Sequence, residues 1–385
     1  MSWKKVSLKE ITVNLDNKRK PLNESERNKI SKKQLYPYLG ANNIMGYVDE
    51  YLFDEEIICI AEDGGSWGEN QKCCVFVNEK CWVNNHAHVL RGNGKADLKY
   101  LLYYLNAANL NSYITGSTRG KLTKSSLDSI QIPLPPLATQ KRIAEILDAS
   151  DALRRKDQEL LKKYDELAKV IFIDMFGDPV KNEMGWETKP LKNITSKIGS
   201  GATPTGGKTA YKSEGISLIR SMNVYDFSFK WKDLAFIDET QAARLNNVTV
   251  ESKDVLFNIT GASVCRCSIV PDELLPARVN QHVAIIRAKS DFLNPIFLNH
   301  LLVSNSVKTK LLGVGAGGGA VMEAITKDQL EQFEIIVPPL KLQDRFEQLI
   351  DNVFTQKRTE INSNGDSEML FNSLIQKAFN GELVS

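Results

Sequence analysis

The sequence predicts an α+β protein in which two mixed α/β globular domains are each followed by a long helix. Residues 122–143 return as residues 325–346, with nine of 22 aligned positions identical at a constant spacing of 203. Before each copy lie short β-branched and aromatic runs broken by Gly, Asn and Asp, which are typical of strands. After each copy lies a stretch of helical composition. Because an internal repeat determines the architecture, we expect two copies of one unit and a bipartite function.

The repeat begins well before these segments. VNNH at residues 83–86 resembles VNQH at residues 279–282, and Trp3 has its counterpart in Trp186. The spacing between counterparts grows from 183 to 203, so the second globular unit is longer by about 20 residues. We place the globular domains at residues 1–134 and 179–337. His86 and His282 recur at the same place, which indicates a shared role that we expect to be structural.

Inside each globular unit, one run is apolar throughout. DEEIICIAE at residues 54–62 and KDVLFNITG at residues 253–261 are predicted to be buried strands. A short helix is predicted near Tyr100 and again near Phe297. These elements make each unit a mixed α/β domain.

The long helices are predicted at residues 135–178 and 338–385. Proline favours a helix start, and residues 138–176 contain neither Pro nor Gly before Gly177 ends the run. Thirty-nine helical residues would span roughly 58 Å. The run at 362–366, NSNGD, is predicted to interrupt the second helix. Each helix could pack on its own domain or on the other helix, and the repeat favours the second alternative.

Composition excludes several classes of protein. Apolar residues make up 42% and the net charge is +2, so any basic surface must be local. The six cysteines lie in strand-like runs, which indicates reduced, buried thiols. MSWKKVSLKE lacks the apolar core of a secretion signal, and no run of 18 apolar residues occurs. We expect a cytoplasmic protein without a membrane span.

Three motifs that suggest a cofactor or a metal are rejected. GVGAGG at residues 313–318 matches a dinucleotide glycine pattern, but a helical run precedes it instead of a strand. GKT at residues 207–209 lacks the glycine that a phosphate-binding loop needs five positions earlier. Cysteine and histidine at residues 73–88 lack paired zinc-ligand spacing, and the second copy has no equivalent. We therefore predict no catalytic residue, metal or cofactor in this chain.

Basic and polar residues in the loops are the candidates for nucleic-acid contact. Residues 18–33 hold seven basic and two acidic side chains, and GSTRGKLTK at residues 116–124 precedes the first repeated segment. Different polar side chains on related domains would suit two different half-sites. The candidate DNA-binding residues are Lys18, Arg19, Lys20, Thr118, Arg119, Lys121, Lys124, Thr203, Thr205, Lys208, Lys212, Arg220 and Asn223.

With its I-P-L-P-P-L-x-x-Q-x-R-I type motif at residues 132–143, repeated in diverged form after a second globular domain, the chain resembles the specificity (S) subunit of Type I restriction–modification systems. The resemblance implies that each globular domain is a target recognition domain for one half of a split DNA sequence. It implies that the two helices pair as an antiparallel coiled coil and set the spacing. It also implies a non-catalytic chain whose partners are double-stranded DNA, two adenosylmethionine-binding methyltransferase (M) subunits and restriction/translocase (R) subunits.

The motif residues Pro135, Gln140, Arg142, Pro338, Gln343 and Arg345 carry over as helix-entry and docking positions. The expected subunit and helix-pair interface is Pro136, Leu137, Ile146, Leu153, Leu160, Leu167, Pro339, Leu340, Leu349, Val353 and Leu370. The alternatives are an adenosylmethionine-dependent DNA methyltransferase, a fused restriction–methylation enzyme and a coiled-coil adaptor that does not bind DNA.

Overall fold

The computed structural model describes residues 3–41, 43–116, 118–204, 206–315 and 324–384, with the backbone alone at 208, 314 and 315. The chain divides into two compact units, Met1–Glu159 with Ile361–Ser385, and Leu160–Glu360. Each unit holds one globular domain and a segment of each long helix. The sequence instead predicts each long helix as one region separate from the globular domains.

The described part of the first unit contains nine strands, four α-helices that lie wholly within it, and a segment of each of the two long helices. In chain order they are β1 (Lys5–Ser7), α1 (Leu8–Ile11), β2 (Thr12–Asn14), α2 (Glu24–Lys29), β3 (Tyr36–Leu39), β4 (Ile44–Val48), β5 (Ile57–Ala61), β6 (Cys74–Val77), β7 (Trp82–Val83), β8 (Ala87–Gly92), α3 (Leu98–Ala107), α4 (Lys124–Ser129) and β9 (Gln131–Pro133), followed by the start of α5 (Leu137–Phe176).

The second unit repeats this order with insertions. It contains β10 (Thr188–Pro190), α6 (Leu191–Ile194), β11 (Thr195–Ser200), β12 (Ile216–Ile219), β13 (Val224–Tyr225), β14 (Ser228–Phe229), β15 (Ala235–Ile237), α7 (Glu239–Ala243), β16 (Thr249–Val250), β17 (Val255–Asn258), β18 (Cys267–Ile269), β19 (Ala277–Val279), β20 (Val283–Ala288), α8 (Pro295–Val303), α9 (Asn305–Gly315), α10 (Lys327–Gln332), β21 (Glu334–Ile336) and the start of α11 (Leu340–Phe379).

The sheet order confirms the internal repeat. An antiparallel sheet β2-β8-β5-β6 in the first domain corresponds to β11-β20-β17-β18 in the second. A second sheet is built around the parallel pair β3 and β7, and its counterpart around the parallel pair β12 and β19. The additional hairpin β13–β14 belongs to the longer second domain.

The predicted buried strands are the central strands β5 and β17. Every residue of both strands is buried, because a helix covers one face of the sheet and the second sheet lies near the other. Ile58 and Ile60 face the core with α3, whereas Ile57 and Cys59 face the core with the second sheet. An all-apolar strand is the expected signature of a strand buried on both faces.

The cysteine prediction is confirmed in that all six thiols are free and buried. Burial raises the pKa of Cys73 and of Cys81 to about 12, so these thiols are protonated near neutral pH. In the described ranges, no helix is both long enough and apolar enough to cross a membrane.

The predicted interruption of the second helix is wrong. Helix α11 runs without a break from Leu340 to Phe379, through residues 362–366. The cost of one mid-helix glycine is about 1 kcal/mol. The turns on either side are held by buried side chains such as Val353 and Phe371, and this packing outweighs the local preference.

The two long helices run antiparallel within each unit. In the first unit, Glu368 accepts hydrogen bonds from Arg154 at 3.3 Å and Gln158 at 3.0 Å, and the Arg154 guanidinium lies 4.6 Å from the Phe371 ring. In the second unit, Lys357 pairs with Asp165 at 2.5 Å, and the Phe346 and Phe172 rings lie 5.6 Å apart. In both units, residues with higher numbers in α5 contact residues with lower numbers in α11. The two helices are therefore antiparallel in each unit, as the resemblance to the specificity subunit implies.

Three leucines of the predicted interface lie outside the packed face of α5. Leu153, Leu160 and Leu167 are 47%, 38% and 44% exposed. The buried residues of α5 include Ile143, Leu147, Ser150, Ala168 and Phe172. Small and polar residues therefore take part in this packing, whereas the three leucines do not.

The other predicted interface positions divide as follows. Val353 is buried, Ile146 and Leu340 are half-buried, and Pro136, Leu137, Pro339, Leu349 and Leu370 are exposed.

A buried glutamine joins each long helix to its own domain. The Gln140 side chain accepts from the backbone N–H of Asp97 at 2.9 Å and donates to the carbonyl oxygen of Pro135 at 2.8 Å. Asp97 is the residue that caps α3. Gln343 repeats both contacts, with Asn294 before α8 at 2.8 Å and with Pro338 at 2.8 Å. We call this contact the glutamine clasp.

Replacing Gln140 with Ala should lower the free energy of unfolding by about 1–3 kcal/mol, because it leaves a buried amide and a buried carbonyl without partners. Urea unfolding measures this loss. The matched control is Lys141→Ala, the exposed neighbouring position on the same helix, for which we expect a change within about 0.5 kcal/mol. Equal stabilities of the two variants would contradict the structural role of the clasp.

Candidate nucleic-acid interface

The repeated histidines lie in one loop frame that both domains share. In each domain the histidine N–H donates to an asparagine side chain two residues earlier, at 2.8 Å for His86 and 3.0 Å for His282. The histidine carbonyl accepts from the loop after the central strand, from Glu62 N at 2.9 Å and from Ile259 N at 3.0 Å. Because these bonds involve the backbone, the frame tolerates different side chains around it.

The side chains on this frame differ between the domains. In the first domain, the Asp63 carboxylate lies 3.0 Å from His86 Nδ1 and accepts from Arg119 Nη2 at 2.7 Å. The Arg119 side chain is 65% exposed, so most of its guanidinium remains available to a ligand.

In the second domain the counterpart of Asp63 is Thr260, whose hydroxyl lies 2.6 Å from His282 Nδ1. Gln281 Nε2 lies 3.1 Å from His282 Nε2, and the side-chain oxygen Oε1 of Gln281 accepts from the Thr203 hydroxyl at 2.5 Å. One domain thus presents a cation held by a carboxylate, and the other presents neutral hydroxyl and amide groups.

Beneath the first frame lies a buried network of charges. Arg19 donates to Glu62 at 2.6 Å and to the Ala87 carbonyl at 2.7 Å. His88 Nδ1 lies 2.6 Å from Asp16, and His88 Nε2 lies 2.7 Å from the Leu122 carbonyl oxygen. The network joins the loop after β2 to strand β8 and to the loop after β5.

Both carboxyl groups of this network have lowered pKa values. Burial raises the pKa of Asp16, but hydrogen bonds from His88, Asn14 and the Val89 amide lower it further than burial raises it. The pKa of Glu62 is lowered in the same way, against burial, by Arg19 and Lys121. Both groups are therefore held as carboxylates by their partners.

Asp16, Glu62 and His88 are close enough to hold a metal ion, with ligand atoms within 4.8 Å of one another. The Arg19 guanidinium already supplies positive charge there, 2.6 Å from Glu62 and 3.5 Å from Asp16. Both nitrogens of His88 also have protein partners. This donor set fits an ion-pair network better than a metal site.

The comparison with known families decides what these paired domains belong to. Residues 1–163 and 183–364 match the Type I restriction modification DNA specificity domain. The chain belongs to this family.

Relatives and solved structures agree with this assignment. A protein named as a type I restriction enzyme specificity subunit, from Haemophilus influenzae, is 29% identical over 377 residues, covering 92% of this chain and 88% of the relative. The type I restriction enzyme MjaVIII specificity subunit of Methanocaldococcus jannaschii is 26% identical over 358 residues, covering 84% and 81%. The S subunit structure from M. genitalium has a TM-score of 0.63 at 13% identity, covering 98% and 96%, and shows a shared fold.

The predicted DNA-binding residues of the first specificity domain fall into two groups. The prediction that Arg19 contacts DNA is wrong, since its side chain is only 13% exposed and belongs to the buried network. The other predicted residues are exposed, although most have an acidic neighbour. Lys18 pairs with Glu55 at 3.4 Å, Lys121 with Glu62 at 3.1 Å and Lys124 with Asp128 at 2.9 Å. Lys20 lies near the Trp82 ring, and Thr118 is exposed.

In the second specificity domain, the prediction that Asn223 contacts DNA is also wrong. It is fully buried, and its side chain accepts from Arg220 N at 3.1 Å and donates to Lys230 O at 2.9 Å, so it shapes a loop. Arg220 stacks on the Tyr211 ring at 5.3 Å and donates to the Asp233 carbonyl. Lys212 is exposed and pairs with Asp238 at 3.2 Å. Thr205 and the side chain of Lys208 lie outside the described residues, as does part of the glycine run at 313–318.

Sequence reasoning missed Asp63, Thr260 and Gln281 as partners of the repeated histidines. The VNNH and VNQH repeats gave the signal, because they marked a shared frame. Asp63 and Thr260 come from a loop distant in sequence, so the repeat alone did not identify them, whereas Gln281 lies within the VNQH repeat itself.

Replacing Asp16 with Asn should destabilise the first domain by about 1.5–3 kcal/mol at pH 7, because a neutral amide replaces the carboxylate that bonds His88 and the Val89 N–H and pairs with Arg19. The folded pKa of Asp16 lies below its ordinary 3.8, so its contribution is complete above pH 4 and is lost as the pH falls through the folded value. Urea unfolding at a series of pH values measures the difference from wild type.

The matched control is Asp54→Asn, which removes an exposed pair with Lys80 at 3.5 Å and should change stability by less than about 1 kcal/mol. A difference between wild type and Asp16→Asn that grows as the pH falls would contradict the network as described.

Proposed function

We propose that each globular domain reads one half of a split DNA sequence, so that the chain is the DNA-specificity subunit of a Type I restriction–modification complex. The observation that carries this proposal is the shared loop frame with different polar side chains. An arginine such as Arg119 can form two hydrogen bonds with guanine, whereas hydroxyl and amide groups such as Thr203 and Gln281 suit other base edges. Different polar side chains on the same loop frame are suited to recognising two different half-site sequences.

The long helices are proposed to set the distance between the two half-sites. Each helix is 40 residues long. The glutamine clasp fixes the start of each helix to its own domain, and a rigid connection is what a fixed gap between half-sites requires.

The exposed apolar positions of α5 are proposed to dock methyltransferase subunits, of which we expect two. Leu160, Leu167, Val170 and Ile173 are 38–61% exposed. Apolar side chains clustered on the surface of a soluble domain often mark protein interfaces. The adenosylmethionine cofactor is proposed to lie in those subunits, and restriction/translocase subunits complete the complex.

In this proposal the chain itself is not catalytic. The named relatives are specificity subunits, and nothing in the comparisons favours the methyltransferase alternative. Isothermal titration of the purified chain with adenosylmethionine tests that alternative. Saturable binding to the isolated chain would reopen it, and binding that requires the methyltransferase subunit supports the proposal.

Exchanging residues 179–337 for the second domain of a relative should change one half of the methylated sequence and leave the other half as it was. Methylome sequencing of a host that carries the chain with its methyltransferase subunit gives both halves directly. The reciprocal exchange of residues 1–134 is the matched control and should change the opposite half. A change in both halves after one exchange would refute the two-reader arrangement.

Replacing Leu160 with Glu should weaken assembly with the methyltransferase subunit at least tenfold, while the stability of the isolated chain changes by less than about 0.5 kcal/mol, since the side chain is exposed. Size-exclusion chromatography with light scattering measures assembly. The control is Lys162→Glu, an exposed position on the same helix. Equal assembly by both variants would exclude this face as the docking surface.

A further inference from the structure

The first unit contains an open groove of about 860 Å³ between α3, the edge strand β6 and the long helices. Every residue that lines it belongs to this unit. Cys74 on the strand, Tyr103 on α3 and Asp151 on α5 mark its three walls.

The counterpart of this groove in the second unit is filled. Cys74 and Cys267 occupy the same position in the pairing of the edge strand with the central strand. Tyr103 and His300 lie equally far from the residues that cap α3 and α8. Asp151 and Phe354 lie equally far from the two glutamines of the clasp. Between these three counterparts lies Phe227, from the turn of the hairpin β13–β14. The Phe227 ring lies 4.4 Å from His300 and 6.4 Å from Phe354, measured between ring centroids.

The hairpin is fastened by its backbone and by a neighbouring charge. Phe227 N–H donates to the Cys267 carbonyl at 3.0 Å, and Asp226 accepts from the Cys267 N–H at 3.2 Å. Asp226 also pairs with Lys308 at 2.5 Å. An acidic residue followed by an aromatic residue is therefore the ligand that this groove holds in the second domain.

The turn is strained in a way that indicates a role for the aromatic ring. Tyr225 pairs with Ser228, so Asp226 and Phe227 form a two-residue turn, and Phe227 has a φ of 57°. Glycine or asparagine normally takes this left-handed conformation, which is unfavourable for a bulky residue. Packing of the ring among His300 and Phe354 offsets this cost.

The open groove in the first domain has charges that suit a similar ligand. Four basic and two acidic side chains line it: Lys72, Lys99, Arg154, Arg155, Asp148 and Asp151. Lys99 pairs with Asp148, and Arg154 and Arg155 both pair with Asp151, each at 2.5 Å. The six charged groups still sum to +2, and the Arg155 side chain is 76% exposed, so the lining favours an acidic segment. The edge of β6 is already bonded by Asn106, which accepts from Cys73 N and Cys74 N at 2.9 Å, so a ligand would insert a ring instead of adding a strand.

We propose that this groove docks a tight turn of a partner subunit in which an acidic residue precedes an aromatic residue. The second domain supplies that turn from its own chain, whereas the first receives it from another chain of the complex. The partner in this inference rests on the proposed function, since it is a subunit of the assembly.

A cyclised, fluorescently labelled peptide with the sequence of residues 222–231, MNVYDFSFKW, is the probe for the groove. We expect saturable binding to the full chain, measured by fluorescence anisotropy. Peptides with Phe227→Ala or Asp226→Asn should bind at least tenfold more weakly. Absence of saturable binding, or equal binding of all three peptides, overturns the proposal.

Two variants of the chain show where the peptide binds. Ala152→Trp places a ring in the groove and should weaken binding at least tenfold, whereas Ala149→Trp, exposed on the same helix but outside the groove, should leave it within twofold. Circular dichroism confirms that both variants are folded. Equal binding by the two variants overturns the assignment to this groove.

A photo-crosslinking residue in place of Gln158, at the rim of the groove, identifies the natural ligand in the assembled complex. Mass spectrometry of the crosslinked fragment should show a partner segment with an acidic residue next to an aromatic residue. Crosslinks to DNA, to a segment without that pair, or to no partner overturn the proposal. Methylation of a split site by the same complex is measured separately, so failure of the proposed function is distinguishable from failure of this inference.

Discussion

The glutamine clasp is the contact on which the rest of each domain depends. A chain that leaves a packed sheet and starts a helix carries backbone groups that burial deprives of water. Gln140 and Gln343 satisfy an N–H before the preceding short helix and a prolyl carbonyl before the long one. Because one side chain bridges both, the start of the long helix has a fixed place on the domain. The proposed role of the helices in spacing two half-sites requires such a fixed origin.

The two domains share the same backbone hydrogen bonds in the histidine loops but carry different side chains on the surface of those loops. The bonds around His86 and His282 join backbone atoms to backbone atoms or to an asparagine within the repeat. Side chains elsewhere on the loops can then differ without loss of the frame, as the exchange of Asp63 for Thr260 illustrates. The same principle applies at the groove beside each central sheet, where Phe227 fills one copy and charged residues line the other.

Much of the architecture could be predicted from the sequence. The repeat, the apolar strands β5 and β17, the helix starts after the proline pairs and the buried thiols all follow from local patterns that tertiary contacts reinforce. The failures have one cause, which is that local patterns do not describe partners distant in sequence. Leu153, Leu160 and Leu167 were expected at the interface of the helix pair, but Ser150 and Ala168 occupy the packed face of α5. The glycine at 365 is tolerated because buried residues on either side hold the helix.

For the candidate site, residue type was less informative than residue position. Arg19 and Asn223 have the chemistry of DNA-binding residues, yet burial and internal hydrogen bonds give both a structural role. Arg119, a similar side chain by sequence, is exposed on the shared frame. By itself the sequence determined that there are two related domains and two long helices, because a repeat and a helical composition are properties of order along the chain. Only the tertiary structure decided which polar side chains face solvent, because exposure depends on the loops that fold over each residue.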